Sequence, residues 1–216
     1  MNDPTPTVYL VDDDTDLLKA IARLLESASL KVATFESPEA FLEGHVGGAP
    51  GCLVLDLAMP GLNGLQLQQR LEQQGSTLPI VFLTGRGDIA ASVQAMKHGA
   101  SDFLTKPVDD KVLLTAIHEA LAKGQALHRA GEEQERLARC LASLTERERQ
   151  VLDGIVAGRL NKQIAAELGT VEKTVKFHRG NLMRKMGVRV VADLVKLAER
   201  AGIGAEPGSA MSQGQA

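Results

Sequence analysis

Several common signatures are missing from this chain of 216 residues, and each absence excludes a class of protein. No segment approaches the roughly 18 consecutive apolar residues that a membrane helix requires, so we expect no membrane span. No Gly-x-Gly-x-x-Gly run occurs, which makes a dinucleotide-dependent enzyme a poor candidate. The segment 1–4 has neither the basic start nor the apolar core of a secretory signal, so we expect a cytoplasmic protein.

Cysteine and histidine also give no sign of a metal centre or a disulfide. The two cysteines, Cys52 and Cys140, lie far apart, and we expect both to be reduced thiols. The five histidines are scattered, and no two of them have the spacing of metal ligands.

The formal net charge of −3 conceals two halves of opposite character. Residues 1–123 carry 9 basic and 16 acidic side chains, whereas residues 124–216 carry 15 basic and 11 acidic ones. Within 158–189 the numbers are 8 basic and 2 acidic. This split favours a cation site in the first half and a polyanionic partner for the second, although a basic run is also typical of a merely solvated face.

The first half alternates short apolar runs with helical patterns. The runs are continuously apolar, which indicates a parallel sheet covered on both faces. We therefore predict an α/β doubly wound, flavodoxin-like domain with five parallel strands over residues 1–122. Its predicted strands are 8–11, 31–35, 52–55, 80–83 and 102–104.

The second half contains no strand pattern. We predict a helical linker over 123–142, an all-α domain of four helices over 143–203, and a disordered tail over 204–216. Thr145 and Glu148 form a capping-box pattern, and Asn161 is a candidate cap for the next helix. Glycines at 158, 169 and 187 are expected to end the first three helices.

Reactive side chains follow the predicted strands at the point where each strand ends. They are Asp12, Asp13 and Asp14, then Asp56, Thr84 and Lys106. Because the carboxyl ends of parallel strands share one edge of a sheet, these groups should converge there. Such a set suits the binding of a divalent cation and the transfer of a phosphoryl group to a carboxylate. Taken alone, the three consecutive acids are equally typical of a helix N-cap, and Asp14 is assigned that role.

These residues resemble the receiver domain of two-component response regulators. The matching motifs are Val11-Asp12-Asp13, Asp56 with Met59-Pro60-Gly61, Thr84-Gly85 and Lys106-Pro107. The resemblance implies that Asp56 accepts phosphate from a histidine kinase, and that Asp12, Asp13, Asp56 and the backbone carbonyl of Ala58 bind Mg²⁺. It also implies that Thr84 and Lys106 contact the phosphoryl group, that Phe103 is an aromatic switch, and that the Lys106–Pro107 bond is cis.

Two positions beside this site carry no group able to orient a hydrolytic water. They are Ala58, two residues past Asp56, and Arg86, two residues past Thr84. The expectation is a long-lived phosphorylated form, in a protein that is not an enzyme beyond its own phosphorylation and slow autodephosphorylation.

The segment 161–186 has the helix–Gly–helix pattern of a helix-turn-helix. Lys173, Lys176 and Gly180 share one helix face, and Val175, Leu182 and Met186 share the opposite one. An all-helical interaction domain with a solvated basic face is the alternative from spacing alone.

The motifs 144–148, 161–165 and 174–178 resemble the LuxR/NarL-type DNA-binding domain, and with the receiver they match the FixJ type of response regulator. The resemblance implies base-reading positions at Lys176, Phe177 and Gly180. It implies DNA-backbone contacts from Asn161, Lys162, Lys173, Thr174, Arg179, Arg184 and Lys185.

Three positions depart from the family pattern. Val171 replaces the usual Ser cap, so either Thr170 caps the helix or the cap is lost. Gly180 offers no side chain and weakens the helix. Val108 stands where many relatives carry Phe.

The resulting hypothesis is a transcription regulator that is switched by phosphorylation and forms a homodimer when phosphorylated. Its expected partners are a histidine kinase and promoter double-stranded DNA, with RNA polymerase as a further candidate. Its competitors are a phosphatase acting through an aspartyl phosphate, and a receiver whose second domain binds protein or RNA. The phosphatase would need a second acid two residues past Asp56, where Ala58 stands.

Overall fold

The chain divides into two compact units, with the boundary after Gly131. A computed structural model describes residues 5–45, 49–85 and 89–203. The predicted tail 204–216 and Arg86 lie outside the described residues.

The first unit contains a five-stranded parallel sheet, as the sequence predicted, and its strand order is β2-β1-β3-β4-β5. Its strands are β1 (Thr7–Val11), β2 (Lys31–Phe35), β3 (Gly51–Asp56), β4 (Ile80–Thr84) and β5 (Asp102–Thr105). Its helices are α1 (Thr15–Ser27), α2 (Pro38–Gly44), α3 (Gly64–Gln73), α4 (Ile89–Lys97) and α5 (Asp110–Ala142).

Local capping fixes where three of these helices begin. Asp14 accepts hydrogen bonds from the backbone N–H groups of Asp16 and Leu17, which confirms its predicted role as the N-cap of α1. Ser37 caps α2 in the same way, and Asn63 forms a capping box at the start of α3.

Apolar residues of the strands are divided between two cores, one on each face of the sheet. Val8 and Leu10 of β1 belong to a core that includes residues of α1 and α5. Tyr9 and Val11 point to the other face and join a core that includes residues of α2 and α3. This arrangement explains why the central strands are apolar at every position rather than at every second one.

Helix α5 is longer than the pattern for the last receiver helix suggested. It runs for 33 residues, so the segment predicted as a linker is helical throughout and continues that helix. Near the middle of α5, Gly124 packs so closely that a Cβ atom would lie 2.2 Å from the carbonyl oxygen of Gly51. Beyond Gly131, Leu137 and Leu141 pack against the core of the second unit.

The elements after α5 are all helices within the described residues up to 203. They are α6 (Glu146–Val156), α7 (Asn161–Glu167), α8 (Glu172–Lys185) and α9 (Val191–Arg200). The expected glycines at 158, 169 and 187 follow the first three of these helices with positive φ, the conformation in which glycine commonly follows a helix end. The core of this unit is formed mainly by Val151, Leu152, Ile164, Val175, Leu182 and Leu194.

An ion pair with a buried carboxylate ties the start of α6 to the end of α8. Glu148 is only 4% exposed and completes the predicted capping box with Thr145. The Lys185 ammonium donates to the Glu148 carboxylate at 2.7 Å and to the carbonyl oxygen of Ser143 at 2.8 Å. The hydrogen bond from Lys185 is the main cause that lowers the pKa of Glu148 below its usual value.

No helix among the described residues has the length and apolar character needed to cross a bilayer.

Substitution of Glu148 should expose the contribution of this pair to stability. Glu148→Gln keeps a capping oxygen but removes the charge that faces Lys185, so we expect a loss of roughly 1–2 kcal/mol at pH 7. Because the native pKa is lowered, the stabilisation is present above the unfolded-state pKa of about 4.3 and is lost as pH falls through the lower native value. Urea unfolding at several pH values measures this.

The exposed Glu146 of the same turn is the matched control. Glu146→Gln should change the free energy of unfolding by less than about 0.5 kcal/mol. A deficit in Glu148→Gln that stays constant down to pH 3 would show that packing, not charge, is responsible.

Candidate functional site

Four strand ends meet at the carboxyl edge of the sheet. Asp12 follows β1, Asp56 ends β3, Thr84 ends β4 and Lys106 follows β5. The parallel register aligns these ends, because Val11 pairs with Leu55, Asp56 with Leu83, and Thr84 with Thr105. The sheet therefore brings together residues that are up to 94 positions apart in the sequence.

The Lys106 ammonium bridges two carboxylates. It donates to Asp12 Oδ2 at 2.5 Å and to Asp56 Oδ1 at 2.7 Å. Both carboxylate side chains are only 7% exposed, whereas that of Lys106 is 21% exposed. The convergence of Asp12, Asp56 and Lys106 agrees with the expectation drawn from the strand ends.

Backbone groups hold the remaining carboxylate oxygens. The N–H of Asp14 donates to Asp12 Oδ1 at 2.9 Å, and the N–H of Ala58 donates to Asp56 Oδ2 at 2.7 Å. The loop that leaves Asp56 is tight, because a Cβ atom at Gly64 would lie 2.3 Å from the Asp56 carbonyl oxygen. Glycine at this position lets α3 begin directly against the end of β3.

Burial and pairing act in opposite directions on the charges of this site. Burial raises the pKa of Asp12 above its usual value, and the hydrogen bond from Lys106 only partly offsets that effect. Burial lowers the pKa of Lys106, but its hydrogen bonds to Asp12 and Asp56 outweigh this and raise the pKa overall. The ammonium thus remains charged and serves as the counter-ion of the acids.

Other residues predicted for this site lie around the central three. Asp13 and Ala58 are exposed, and Thr84 is buried. Phe103 is partly buried, with its ring centroid 6.0 Å from that of Phe82. The Lys106–Pro107 bond is cis, as the resemblance implied.

Oxygen donors dominate the edge, which suits a hard cation such as Mg²⁺ that is held by one or two carboxylates and several waters. Among the described residues, no group of three or more acids, histidines and cysteines is arranged to hold a metal ion. The oxygen donors of Asp12 and Asp56 fit Mg²⁺ in their chemistry. Lys106 bonds to both of them, and its positive charge offsets part of their negative charge.

A second candidate site lies on the helix pair α7 and α8. Val175, Leu182 and Met186 are buried, as predicted for the core-facing side of α8. The predicted DNA-facing residues that are exposed are Lys162, Lys173, Lys176, Phe177, Gly180 and Arg184. Thr174, Arg179 and Asn161 are partly exposed.

Some of these groups already have partners within the unit. Arg179 donates to Asn161 Oδ1 at 3.0 Å, and Arg184 donates to Asn181. Lys176 is paired with Glu172, four residues earlier, at 2.9 Å. The ammonium of Lys185 is bound to Glu148, which favours an internal role for this lysine over the DNA-backbone contact that the resemblance implies.

The start of α7 differs from the capping expected from sequence, whereas the start of α8 agrees with one of the two expected alternatives. Leu160 occupies the N-cap position of α7 and Asn161 is its first residue, so the prediction that Asn161 caps this helix was wrong. Its side-chain oxygen accepts from Arg179 instead. Val171 occupies the N-cap position of α8 without a side-chain hydrogen bond, so the cap of this helix is lost.

Sequence reasoning missed the two side-chain links that position the candidate DNA interface. The capping-box pattern marked Glu148 but carried no sign of its pairing with Lys185, which lies 37 residues away. No local pattern signalled the bond between Arg179 and Asn161 either, since it joins two separate helices.

The first unit has a doubly wound sheet with an acid–lysine cluster at its carboxyl edge, and the second contains a helix-turn-helix. This combination is that of a two-domain regulator. Residues 8–118 match the family model of the response regulator receiver domain, and residues 142–198 match that of the bacterial regulatory proteins of the luxR family. The chain belongs to the response regulators that combine these two domains, and it is a two-component transcription regulator.

Relatives match along nearly the whole chain. The response regulator protein TmoT of Ectopseudomonas mendocina is 44% identical over 93% of this chain and 91% of its own length. The transcriptional regulatory protein FixJ of Bradyrhizobium diazoefficiens is 40% identical over 91% of this chain and 96% of its own length. The solved structure of the response regulator StyR is 46% identical, covers 91% of this chain and 99% of its own, and has a TM-score of 0.85.

The buried carboxylate of Asp12 should destabilise the unliganded protein. Asp12→Asn removes a charge that burial disfavours, while Lys106 keeps Asp56 as a partner. We expect the free energy of unfolding at neutral pH, in the presence of a chelator, to rise by roughly 1 kcal/mol. Urea denaturation measures it.

The neighbouring Asp13 is exposed and provides the control. Asp13→Asn should change the unfolding free energy by less than about 0.5 kcal/mol. A clear loss of stability in Asp12→Asn would mean that its attraction to Lys106 outweighs the cost of burial.

Proposed function

We propose that Asp56 is the phosphoacceptor of a magnesium-dependent switch and that a histidine kinase is the donor. The observation that carries this proposal is the Lys106 ammonium shared by Asp12 and Asp56. A lysine in this position offsets part of the negative charge of the acids at rest and is within reach of a phosphoryl group formed on Asp56. No second acid follows Asp56 at the position of Ala58, which disfavours the phosphatase alternative.

The proposed reaction is the transfer of a phosphoryl group from a phosphohistidine to the carboxylate of Asp56. An Asp56 carboxylate oxygen attacks phosphorus, so that a P–O bond forms while the P–N bond of a phosphohistidine breaks and the leaving nitrogen takes a proton. The Ala58 N–H keeps the carboxylate oriented through Oδ2. Lys106 and the Thr84 hydroxyl stabilise the new phosphoryl oxygens. Asp12, Asp13, Asp56 and the Ala58 carbonyl would hold Mg²⁺, which supplies further charge neutralisation.

The phosphorylated state is proposed to dimerise through α4 and β5. Ile89, Val93 and Met96 lie at helical spacing on α4 and are 79%, 47% and 49% exposed, so they form an apolar stripe on the surface. Movement of Thr84 and Phe103 would change this surface because they belong to β4 and β5, and α4 connects these two strands. Phosphorylation shifts the equilibrium towards the dimerising state only to the extent that the phosphoryl group stabilises that state over the resting one.

Residues 143–203 are proposed to read promoter DNA as a dimer with two-fold symmetry. The receiver, 1–122, holds this domain masked or monomeric at rest, and 123–142 link the two. Lys176, Phe177 and Gly180 face the bases, while Lys162, Lys173, Thr174, Arg184 and the bonded pair Asn161–Arg179 lie along the DNA backbone. RNA polymerase is the further partner of the bound dimer.

Phosphorylation should control DNA binding through Asp56 alone. In a footprint on genomic DNA, acetyl phosphate with Mg²⁺ should tighten wild-type binding by about ten-fold or more, whereas Asp56→Asn should not respond, because an amide is not a phosphoacceptor. Equal protection by both proteins under all conditions would remove the switch and leave only a DNA reader.

The aspartyl phosphate should be long-lived because Ala58 cannot orient a hydrolytic water. We expect the isolated first unit to retain the phosphoryl group for minutes or longer, as measured by phosphate release. Ala58→Asn introduces an amide at the exposed position and should shorten the lifetime. A wild-type half-life of seconds contradicts the expectation.

DNA affinity should depend on the charge of α8. Lys176→Glu should weaken binding to a promoter duplex by at least about ten-fold, since it reverses charge at a proposed base-reading position. Lys196→Glu makes the same change at an exposed position of α9 and should have a smaller effect. If wild-type binding is insensitive to salt, or if the two variants lose affinity equally, α8 is not the reading helix.

A further inference from the structure

Phe177 is an exposed aromatic residue on the basic face of α8. Phe177 is 65% exposed, whereas Val175 and Leu182 of the same helix are buried in the core of the unit. Within the described part of the chain, its aromatic neighbour is the adjacent His178, with ring centroids 5.7 Å apart. The ring therefore contributes little to the packing of its own unit, and its large apolar surface is available to a partner.

Gly180 is unusual because it lacks a side chain at a position where one would fit. It lies inside α8, it is not among the glycines with positive φ, and a Cβ atom placed on it would meet nothing within 4 Å. Alanine is more favourable than glycine inside a helix. Neither the backbone conformation nor a neighbour among the described residues therefore requires glycine here.

Phe177 and Gly180 are three residues apart and are therefore neighbours on the helix surface. The ring of Phe177 forms an apolar ridge, and the missing side chain of Gly180 leaves a notch beside it. Lys173 and Lys176 lie along the same exposed face. In the major groove only thymine presents a methyl group, and apolar side chains including Phe recognise that methyl group. The polar edges of the other bases would lose water against an aromatic ring without gaining a hydrogen bond.

We propose that Phe177 and Gly180 read the 5-methyl group of thymine, so that this chain selects thymine at a fixed position of each DNA half-site. The inference rests on the proposed DNA-binding function and adds to it the base that this part of α8 recognises. Phe177 covers the methyl group, and Gly180 leaves the clearance that lets the base edge come close to the helix.

Removing only the methyl group tests the proposal. A duplex is selected from random-sequence DNA on phosphorylated full-length protein and then resynthesised with deoxyuridine in place of every thymidine. The wild type should bind the deoxyuridine duplex roughly four-fold more weakly for each methyl contact, hence about sixteen-fold for a dimer. Phe177→Ala should bind the thymidine duplex more weakly and should bind both duplexes equally.

Val190→Ala removes another exposed apolar side chain, outside α7 and α8, and should behave like the wild type. Equal binding of both duplexes by the wild type would overturn the thymine inference while leaving the proposed function intact. Failure of the wild type to select any duplex would overturn the proposed function itself.

A pair of glycine variants tests the notch separately. Gly131, inside α5, also has open space around a built Cβ atom, so Gly131→Ala is the matched control for Gly180→Ala. Both substitutions should raise the midpoint of thermal unfolding by a few degrees. Only Gly180→Ala should weaken binding to the selected duplex, by about five-fold or more. Unchanged binding by Gly180→Ala would refute the clearance role.

Discussion

The bridge from Lys106 to Asp12 and Asp56 is the interaction on which the proposed signalling function depends. Three separate strands place these groups at one edge, and burial would make two neighbouring carboxylates costly without the ammonium between them. The same bridge explains how the carboxylate of Asp56 can be buried at the end of β3. The single ammonium offsets only one of the two carboxylate charges, so the three groups together keep the negative charge that a cation would complement.

A second lysine–carboxylate bridge serves a different purpose in the second unit. Lys185 binds Glu148 and the Ser143 carbonyl, and so fastens the end of α8 to the start of α6. Here the acid is buried and also completes a helix cap, so its oxygens are used by the fold itself. The two bridges have similar chemistry, but the ammonium at the sheet edge is shared by two carboxylates, whereas Lys185 pairs with one.

Patterns that are local in sequence predicted most of the fold and the centre of the site. Continuous apolar runs indicated a sheet covered on both faces, and the parallel order of the strands then brought Asp12, Asp56 and Lys106 to one edge. The caps at Asp14 and Thr145 were equally readable, because each involves residues at most three positions apart. Interactions between distant side chains were not readable, since no periodicity records them. For that reason the pairing of Lys185 with Glu148 was not predicted, and Asn161 was assigned to a cap although it bonds to Arg179.

The way in which α8 is held has a consequence for how its specificity can evolve. This helix has no side-chain cap at Val171 and carries a glycine in its interior, so its own propensity contributes little to its stability. Its position is fixed instead from behind, by Val175 and Leu182, and at its far end by Lys185. The exposed residues Phe177 and Gly180 lie outside that core, so their identity does not determine where the helix sits. Relatives of this protein could acquire new operators by changing that surface while the scaffold beneath it stays as it is.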